Sequence, residues 1–329
     1  MNWNKQTLRA GVLAILLAMM LRLIGSGFFA DSLAVFSQPE LADFIISGET
    51  GRKPTGQTAP TPVNPNLPNL SQPNVPPTFS KEDVQFVKIQ YNANRKPNLE
   101  TLLTQTLDWD LTGDSPAVLI YHSHGTEAFT PTADSTYEET GGDYRTLDEQ
   151  RNMISVGDEL TRLLEAAGIG VIHDRTCHDH PDYTAAYSNS RKGVKKILAE
   201  NPSIKLVIDL HRDAAEQADG SQWAPTASVN GQDTAQVMFV IGTDNYYQNA
   251  HWQTNLSIAM KLNVLMEKAH PGITRPVDLR SQRFNQDLQA GTMIVEIGAA
   301  GNTLQEAKNA VSVLAEAIVQ LSGGANSAA

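Results

Sequence analysis

Three short apolar segments, far apart in the sequence, each end in residues that can bind a metal ion or transfer a proton. They read VLIYHSHGTE, KLVIDLHRD and TMIVEIG, and about 90 residues separate each one from the next. Parallel strands of one sheet place their carboxyl ends at the same edge. If the three segments are parallel strands, their polar ends lie close together, and the rest of the chain has to fold around that point.

Helical periodicity fills most of the sequence between these segments. Apolar residues recur at intervals of three and four residues over 152–167, 187–199, 251–269 and 304–321. Further apolar runs at 170–173 and 235–241 are typical of strands. Strands that alternate with helices of this length predict an α/β fold with a mixed or mostly parallel sheet flanked by helices. Ligands of such sheets bind beyond the carboxyl ends of the strands.

The N-terminus predicts a membrane segment or an export signal. Apolar residues occupy 10–21 and 23–30, with Arg22 between them, and about 20 apolar residues are enough to span a bilayer. A retained anchor, a leader cleaved near Gly25-Ser26-Gly27 and an amphipathic leader all remain open. No Lys or Arg follows Arg22 until Arg52, so the positive-inside rule predicts a cytoplasmic N-terminus and an extracytoplasmic main domain.

A proline-rich stretch follows the apolar segment. Residues 51–80 hold eight of the seventeen prolines, mixed with Thr, Asn, Gln and Ser, and they show no apolar periodicity. Such a composition predicts an extended spacer. We therefore predict a single-pass membrane protein in four parts: a cytoplasmic tip and anchor at 1–35, an extracytoplasmic spacer at 36–83, a catalytic domain at 84–322 and a tail at 323–329.

Composition and missing motifs exclude several classes of function. The net charge of −11 argues against a nucleic-acid binder, which needs a basic face. Cys177 is the only cysteine, so neither an intrachain disulfide nor a cysteine-rich zinc module is possible. The sequence has no G-x-S-x-G, G-x-G-x-x-G or G-x-x-x-x-G-K-[ST] motif, which argues against serine hydrolase and nucleotide chemistry.

The polar strand ends predict a catalytic zinc site. Zinc hydrolases commonly use two histidines and a carboxylate and keep a fourth position open for water. We predict His124, Glu127 and His211 as the ligands, with Glu149 as an alternative to Glu127. Glu296 lies in an apolar run, where burial raises the pKa of a carboxyl group, and it is the predicted general base.

Two neighbours of these residues receive secondary roles. We predict that His122 points away from His124 and supports the site without binding the metal. Arg212 follows His211 at the same strand end and is predicted to bind substrate. The three histidines of VIHDRTCHDH are expected to have a structural or surface role.

The motifs, taken together, resemble a known family. YHSHGTEAF, VIHDRTCHD, VIDLHRDA, RFNQDL and IVEIGAAGNTLQEA occur in this order and resemble the stage II sporulation protein P family over about residues 84–320. The resemblance implies a fold similar to that of zinc-dependent N-acetylmuramoyl-L-alanine amidases. It also implies cleavage of peptidoglycan during engulfment of the forespore, beside a partner lytic transglycosylase.

The resemblance can be carried over residue by residue. It supports His124, His211 and Glu296 and leaves the third ligand open. Three further residues, in RFNQD, match a family motif near the last strand, which implies that they bind substrate: Arg283, Asn285 and Gln286.

The resulting expectation is a membrane-tethered, zinc-dependent N-acetylmuramoyl-L-alanine amidase that also has endopeptidase activity. One alternative is a zinc carboxypeptidase, because a His-x-x-Glu motif with a distant histidine also serves that reaction. Another is an inactive scaffold that binds the cell wall. Intact His124, His211 and Glu296 argue against the scaffold.

Overall fold

A computed structural model describes residues 77–107, 109–113, 115–142, 144–217 and 219–322. The predicted membrane segment, the spacer up to residue 76 and the tail lie outside the described residues. Among the helices of the described ranges, none is both long and apolar enough to cross a membrane.

The described chain forms nine strands, five α-helices and two 3-10 helices. The strands are β1 (Ile89–Asn92), β2 (Val118–Tyr121), β3 (Val171–His173), β4 (Leu206–Asp213), β5 (Thr226–Val229), β6 (Gln232–Ala235), β7 (Val237–Gly242), β8 (Val277–Arg280) and β9 (Thr292–Ala299). The α-helices are α1 (Leu99–Thr104), α2 (Met153–Ala166), α3 (Ala186–Glu200), α4 (Trp252–Ala269) and α5 (Leu304–Ser322), and the 3-10 helices are Lys81–Phe86 and Tyr183–Ala185. The four helices predicted from periodicity correspond to α2, α3, α4 and α5.

Seven strands form the main sheet, in the order β1-β8-β7-β9-β4-β2-β3. All neighbouring pairs are parallel except β7 and β9, which are antiparallel, so the predicted mixed, mostly parallel sheet is confirmed. Strands β5 and β6 form a separate antiparallel pair. The reversal at β7 divides the sheet, and the carboxyl ends of β9, β4, β2 and β3 all lie at one edge, which we call the site edge.

One face of the sheet, the core face, carries the main hydrophobic core. Ile120, Leu210 and Phe239 point into it from three strands and are fully buried. Helices α1, α2, α4 and α5 supply the opposing apolar residues. Helix α2 shows how the sequence specifies these elements. Asn152 caps its first turn by accepting a hydrogen bond from the Ile154 amide at 3.0 Å, as asparagine commonly does at this position.

The opposite face of the sheet, which we call the site face, is covered by fewer apolar side chains. Val194 of α3 packs against Leu119 and Val207, which alternate with the core residues along β2 and β4. The loop between β8 and β9 covers the neighbouring strands, where Phe284 packs on a small apolar cluster that includes Val240. The polar residues of the site edge lie on this less protected face.

The folded part begins earlier than predicted. Phe79 packs against the main core, and the 3-10 helix Lys81–Phe86 follows it. Asp83 pairs with Lys268 of α4 at 2.6 Å. Residues 79–83 therefore belong to the folded unit and not to the spacer, because the side chains of Phe79 and Asp83 have partners on α4 that composition alone does not reveal.

Candidate catalytic site

Strand register brings the predicted catalytic residues together. His211 of β4 lies directly opposite Glu296 of β9, and Asp209 lies opposite Tyr121 of β2. Paired residues of neighbouring strands point to the same face. His211, Glu296 and Asp209 therefore share the site face.

His211 is held between two carboxylates. Its Nδ1 atom lies 3.3 Å from Glu127 Oε2, and its Nε2 atom lies 2.7 Å from Asp209 Oδ1. All three side chains are buried. Burial alone would lower the pKa of His211, but the charges of Asp209 and Glu127 raise it well above its usual value. Burial alone would raise the pKa of Glu127, but its hydrogen bond to His211 and the charge of that ring lower it.

Asp209 is itself fixed in place by the end of β2. Its two carboxylate oxygens accept hydrogen bonds from the Ser123 amide at 2.7 Å and the Ser123 hydroxyl at 2.8 Å. Ser123 follows β2, whereas Asp209 lies within β4, so these bonds join two strands at the site edge. His211 thereby receives a rigid partner for Nε2.

His124 lies in an aromatic environment beside this pair. Its ring stacks on Tyr183 with 4.4 Å between the ring centroids, and Tyr187 approaches edge-on at 5.6 Å. The His124 and His211 ring centroids are 5.3 Å apart. Burial lowers the pKa of His124, so the neutral ring that a metal would require is favoured.

Glu296 is partly buried at the same cluster. Its Oε2 atom has no hydrogen-bond partner within the described residues, and the same is true of His124 Nδ1. Burial, together with the charge of Glu127, raises the pKa of Glu296 to about 8. An unpartnered, buried carboxyl group is costly for the fold and typical of functional sites.

Two charged residues that the sequence analysis did not select complete the site. Asp179 accepts a 2.5 Å hydrogen bond from the Thr126 hydroxyl and lies 3.9 Å from His124 Nδ1. Arg145 lies 3.6 Å from both Asp179 and Glu127. Asp179 belongs to VIHDRTCHDH, a segment in which the prediction of a structural or surface role concerned the histidines. Only the loop that carries Asp179 back onto the 122–127 segment reveals its place in the site.

His122 points away from the cluster, as predicted. Its Nδ1 atom donates to the Leu210 carbonyl at 2.8 Å, and its Nε2 atom lies 2.8 Å from His173 Nε2. Burial lowers the pKa of His122 to about 3, so the ring is neutral. Gly157 of α2 makes room for the two rings, since a Cβ atom there would lie 2.6 Å from His173 Nε2.

The two candidates for the third ligand are placed very differently. Glu127 is buried against His211, whereas Glu149 is largely exposed and pairs with Arg175 at 2.6 Å. Asp158 also binds Arg175, so this ion pair belongs to the surface near α2. The structure therefore brings Glu127 into the cluster and leaves Glu149 in a surface ion pair.

Arg212 does not have the environment expected of a substrate-binding residue. Its side chain is fully buried, and its guanidinium donates to the carbonyls of Ala128 at 2.9 Å and Tyr144 at 3.2 Å. Arg212 follows His211 in β4, and these bonds tie Ala128 and Tyr144 to that strand. The placement gives Arg212 a structural role, and its binding of substrate stays a prediction.

The three residues of RFNQD that were predicted to bind substrate differ in burial. Gln286 is fully buried and bonds the Gly242 amide and the Val240 carbonyl, both at 2.9 Å. Asn285 is buried and donates to the Tyr187 carbonyl at 3.1 Å. Both amides support the loop, so direct contact with substrate does not fit their burial. Arg283 is partly exposed and free of that objection.

The residue types at the cluster fit a zinc ion. Two histidines and a carboxylate are a common catalytic donor set, and Asp209 behind His211 matches the carboxylate that usually orients a ligating imidazole. Orphaned His124 Nδ1 and Glu296 Oε2 are atoms that a bound ion and its water would engage. As the side chains stand, no three His, Cys, Asp or Glu residues in the described ranges are arranged to hold a metal. His211 and Glu127 are paired with each other instead.

Comparison with known proteins identifies relatives of the whole folded region. A model of the stage II sporulation protein P (SpoIIP) family matches residues 57–319. The chain is 31% identical over 241 residues to the stage II sporulation protein P of Bacillus subtilis (strain 168), covering 70% of this chain and 54% of that protein. The chain thus spans about half the length of this curated relative.

Solved structures show a weaker likeness. The N-acetylmuramyl-L-alanine amidase Ami1 of Mycobacterium smegmatis matches with 12% identity and a TM-score of 0.38, covering 65% of this chain and 99% of that chain. The CwlD amidase of Clostridioides difficile, solved in complex with the GerS lipoprotein, matches with 16% identity and a TM-score of 0.36, covering 63% of this chain and 95% of that one. Likeness at this level carries no argument about the activity of this chain.

Proposed function

We propose, since this chain belongs to the stage II sporulation protein P family, that it is a peptidoglycan hydrolase that acts on the cell wall during sporulation. The finer proposal is a zinc-dependent N-acetylmuramoyl-L-alanine amidase that also cleaves peptide cross-links. The observation that carries it is the buried cluster at the site edge. His124, Glu127 and His211 converge there with Glu296, whose shielded Oε2 atom has no hydrogen-bond partner within the described residues.

The residues divide the chemistry among themselves. His124, Glu127 and His211 would hold the zinc. When bound, zinc polarises a scissile carbonyl and acidifies water. Asp209 accepts a hydrogen bond from the Nε2–H group of His211. The other ring nitrogen, Nδ1, lies on the side of Glu127 and would be the atom that holds the zinc.

Glu296 moves the proton. It takes a proton from the attacking water and delivers it to the amine of the broken amide bond. A carboxyl group whose pKa is about 8 is largely protonated at neutral pH, and a cation at the neighbouring cluster would favour the ionised form that a base requires.

The location of the enzyme is part of the proposal. An N-terminal anchor and a proline-rich spacer would tether the catalytic domain outside the cell membrane, where peptidoglycan lies. A lytic transglycosylase is the partner we propose, since it would shorten the glycan strands whose stem peptides this domain removes.

The first experiment measures metal content and wall cleavage of the full chain. The wild type should bind one zinc, release stem peptides from purified walls and lose that activity in a chelator. His124→Ala should lose both metal and activity, whereas Glu296→Gln should keep the metal and lose activity. Cleavage that survives removal of the metal would refute the zinc mechanism.

A matched pair of variants decides the third ligand. Glu127→Gln should lower zinc affinity by about tenfold or more, and Glu149→Gln should leave it unchanged. The reverse result would transfer the role to Glu149. Product analysis separates the alternatives, because a carboxypeptidase would trim only the terminal residue of the stem peptide and a scaffold would bind walls without releasing any product.

A further inference from the structure

Four aromatic side chains are joined by successive contacts that start at the catalytic cluster, and we call them the aromatic row: Tyr183, Tyr187, Phe284 and Tyr247. The row starts at the catalytic cluster, where Tyr183 stacks on His124 and Tyr187 follows at 5.6 Å from the same ring. The Tyr187 and Phe284 ring centroids are 5.6 Å apart. Arg283, next to Phe284 in sequence, lies 5.1 Å above the ring of Tyr247 and connects the row to its far end.

The backbone that places Phe284 is strained. Phe284 and Asn285 have φ angles of 49° and 60°, and a bulky residue in this left-handed region is a true outlier. The loop is held in this conformation by the buried side chains of Asn285 and Gln286, which bond to α3 and β7. Strain that the surroundings enforce in this way is characteristic of functional segments.

The two aromatic residues at the ends of the row do not pack in the core. Tyr183 and Tyr247 are 51% and 61% exposed, and both are among the most exposed large apolar side chains of the described chain. An arginine lies over each of them, with Arg145 at 4.6 Å from the Tyr183 ring and Arg283 at 5.1 Å from the Tyr247 ring. Exposed aromatic rings paired with cations are typical of binding surfaces.

We propose that the aromatic row binds the glycan strand of peptidoglycan and guides it toward the catalytic cluster. This inference rests on the proposed function and extends it from one scissile bond to a polymeric substrate. The apolar C–H faces of sugar rings pack on aromatic rings, and several neighbouring rings can contact several linked sugars. Arg283, which is partly exposed beside the row, would meet the carboxylates of stem peptides.

The row also accounts for Asn285 and Gln286. The family motif in which they lie implied contact with substrate, yet both are buried. Their bonds fix the strained turn that presents Phe284, so they act on substrate only through the position of that ring.

The test is binding of the full chain to a hexamer of β-1,4-linked N-acetylglucosamine, measured by titration calorimetry. This probe has no stem peptide and no amide bond to muramic acid, so binding is independent of catalysis. Tyr247→Ala should weaken the affinity about tenfold, as loss of one aromatic anchor commonly does. Tyr91→Ala is the matched control, because Tyr91 is 45% exposed and lies on the edge strand β1, outside the contacts that join the row.

A second readout uses substrate length. Tyr247→Ala should slow cleavage of intact glycan strands and leave cleavage of a single-sugar muramoyl peptide unchanged, since that short substrate does not extend to Tyr247. The row is refuted if the wild type does not bind the hexamer, or if Tyr247→Ala and Tyr91→Ala behave alike. If the hexamer binds as described but walls are never cleaved, the row stands and the proposed hydrolase activity fails.

Discussion

The two faces of the sheet differ in what covers them and in what they can tolerate. The core face is packed under four helices and its residues are almost entirely apolar. The site face has α3, one strained loop and a buried cluster of imidazoles and carboxylates. The core face therefore stabilises the fold. The site face contains charged and incompletely hydrogen-bonded groups, which lower the stability.

The division runs within single strands. In β4, Leu210 enters the core and its neighbours Asp209 and His211 enter the site. In β2, Ile120 packs in the core, and the segment that follows Tyr121 carries the site histidines. A shift of one residue in the register of either strand would exchange the two sets. Correct register is thus a condition for both stability and chemistry.

The largest effect should come from a substitution that touches only the chemistry. Glu296→Gln keeps the size of the side chain, so the free energy of unfolding should change by no more than about 1 kcal/mol. Wall cleavage should fall by roughly 10²–10⁴-fold because the general base is lost. Glu316→Gln, on α5 beside His270, is the control and should cleave walls normally. An active Glu296→Gln would remove this residue from the mechanism.

The next effect compares the apolar packing of the two faces. Leu314→Ala in α5 removes a fully buried side chain from the main core and should cost about 2–5 kcal/mol of unfolding free energy. Leu288→Ala, at the partly buried cluster under α3, should cost less than half as much. Equilibrium unfolding in urea measures both. Equal losses would contradict the claim that the core face carries most of the stability.

Arg212 and Arg283 are both predicted to bind substrate, but their substitution should affect the free energy of unfolding differently. Arg212→Met leaves the Ala128 and Tyr144 carbonyls without their buried donor and should lower the unfolding free energy by roughly 2–3 kcal/mol. Arg283→Met, at a partly exposed site, should leave it within about 0.5 kcal/mol. If Arg212→Met unfolds normally but binds wall fragments poorly, Arg212 contacts substrate after all.

The last of these effects tests a charged side chain that is buried beneath the core face. Lys261 of α4 is 3% exposed, donates to the Leu103 carbonyl and lies 4.7 Å from the Phe79 ring. Burial lowers its pKa to about 8, against about 10.4 in an unfolded chain. Between these values the unfolded chain holds a proton that the folded chain has released, so the unfolding free energy rises with pH across this window.

Lys261→Met isolates that contribution. Urea unfolding at several pH values from 7 to 10 should show the wild type gaining stability relative to the variant as the pH rises above about 8. Below that pH, both states of the wild type are protonated and the difference should stay constant. A difference that is the same at every pH would show that Lys261 keeps its usual pKa.

Much of the architecture follows from pattern alone. Long periodic helices and apolar strands identified α2 to α5 and the strands of the site edge, because a buried face imposes its period on the sequence. The short edge strand β1, its neighbour β8, helix α1 and the β5–β6 pair went unpredicted. Their residues are half polar, and their pairing depends on neighbours that lie far away in the chain.

The site was predictable only where a strand end carried the residue. His124, His211 and Glu296 follow or lie within apolar runs, so strand geometry alone brings them together. Asp179 and Arg145 reach the cluster through loops whose paths leave no periodic signal. Arg212 was misplaced because a charged residue beside a catalytic one suggests substrate, whereas its hydrogen bonds to distant carbonyls appear only in three dimensions.

Gly157 has a consequence for protein engineering. Glycine inside a helix costs about 1 kcal/mol relative to alanine, so a search for stabilising substitutions would select this position first. Alanine there would collide with the His122–His173 pair that backs the site. Gly193 of α3 is the safer target, since its added methyl would meet only ordinary contacts near His178 at 3.4 Å or more. Gly193→Ala should raise the melting temperature by a few degrees and leave the chemistry intact. Gly157→Ala should also favour the helix, but it would displace the rings of His122 and His173.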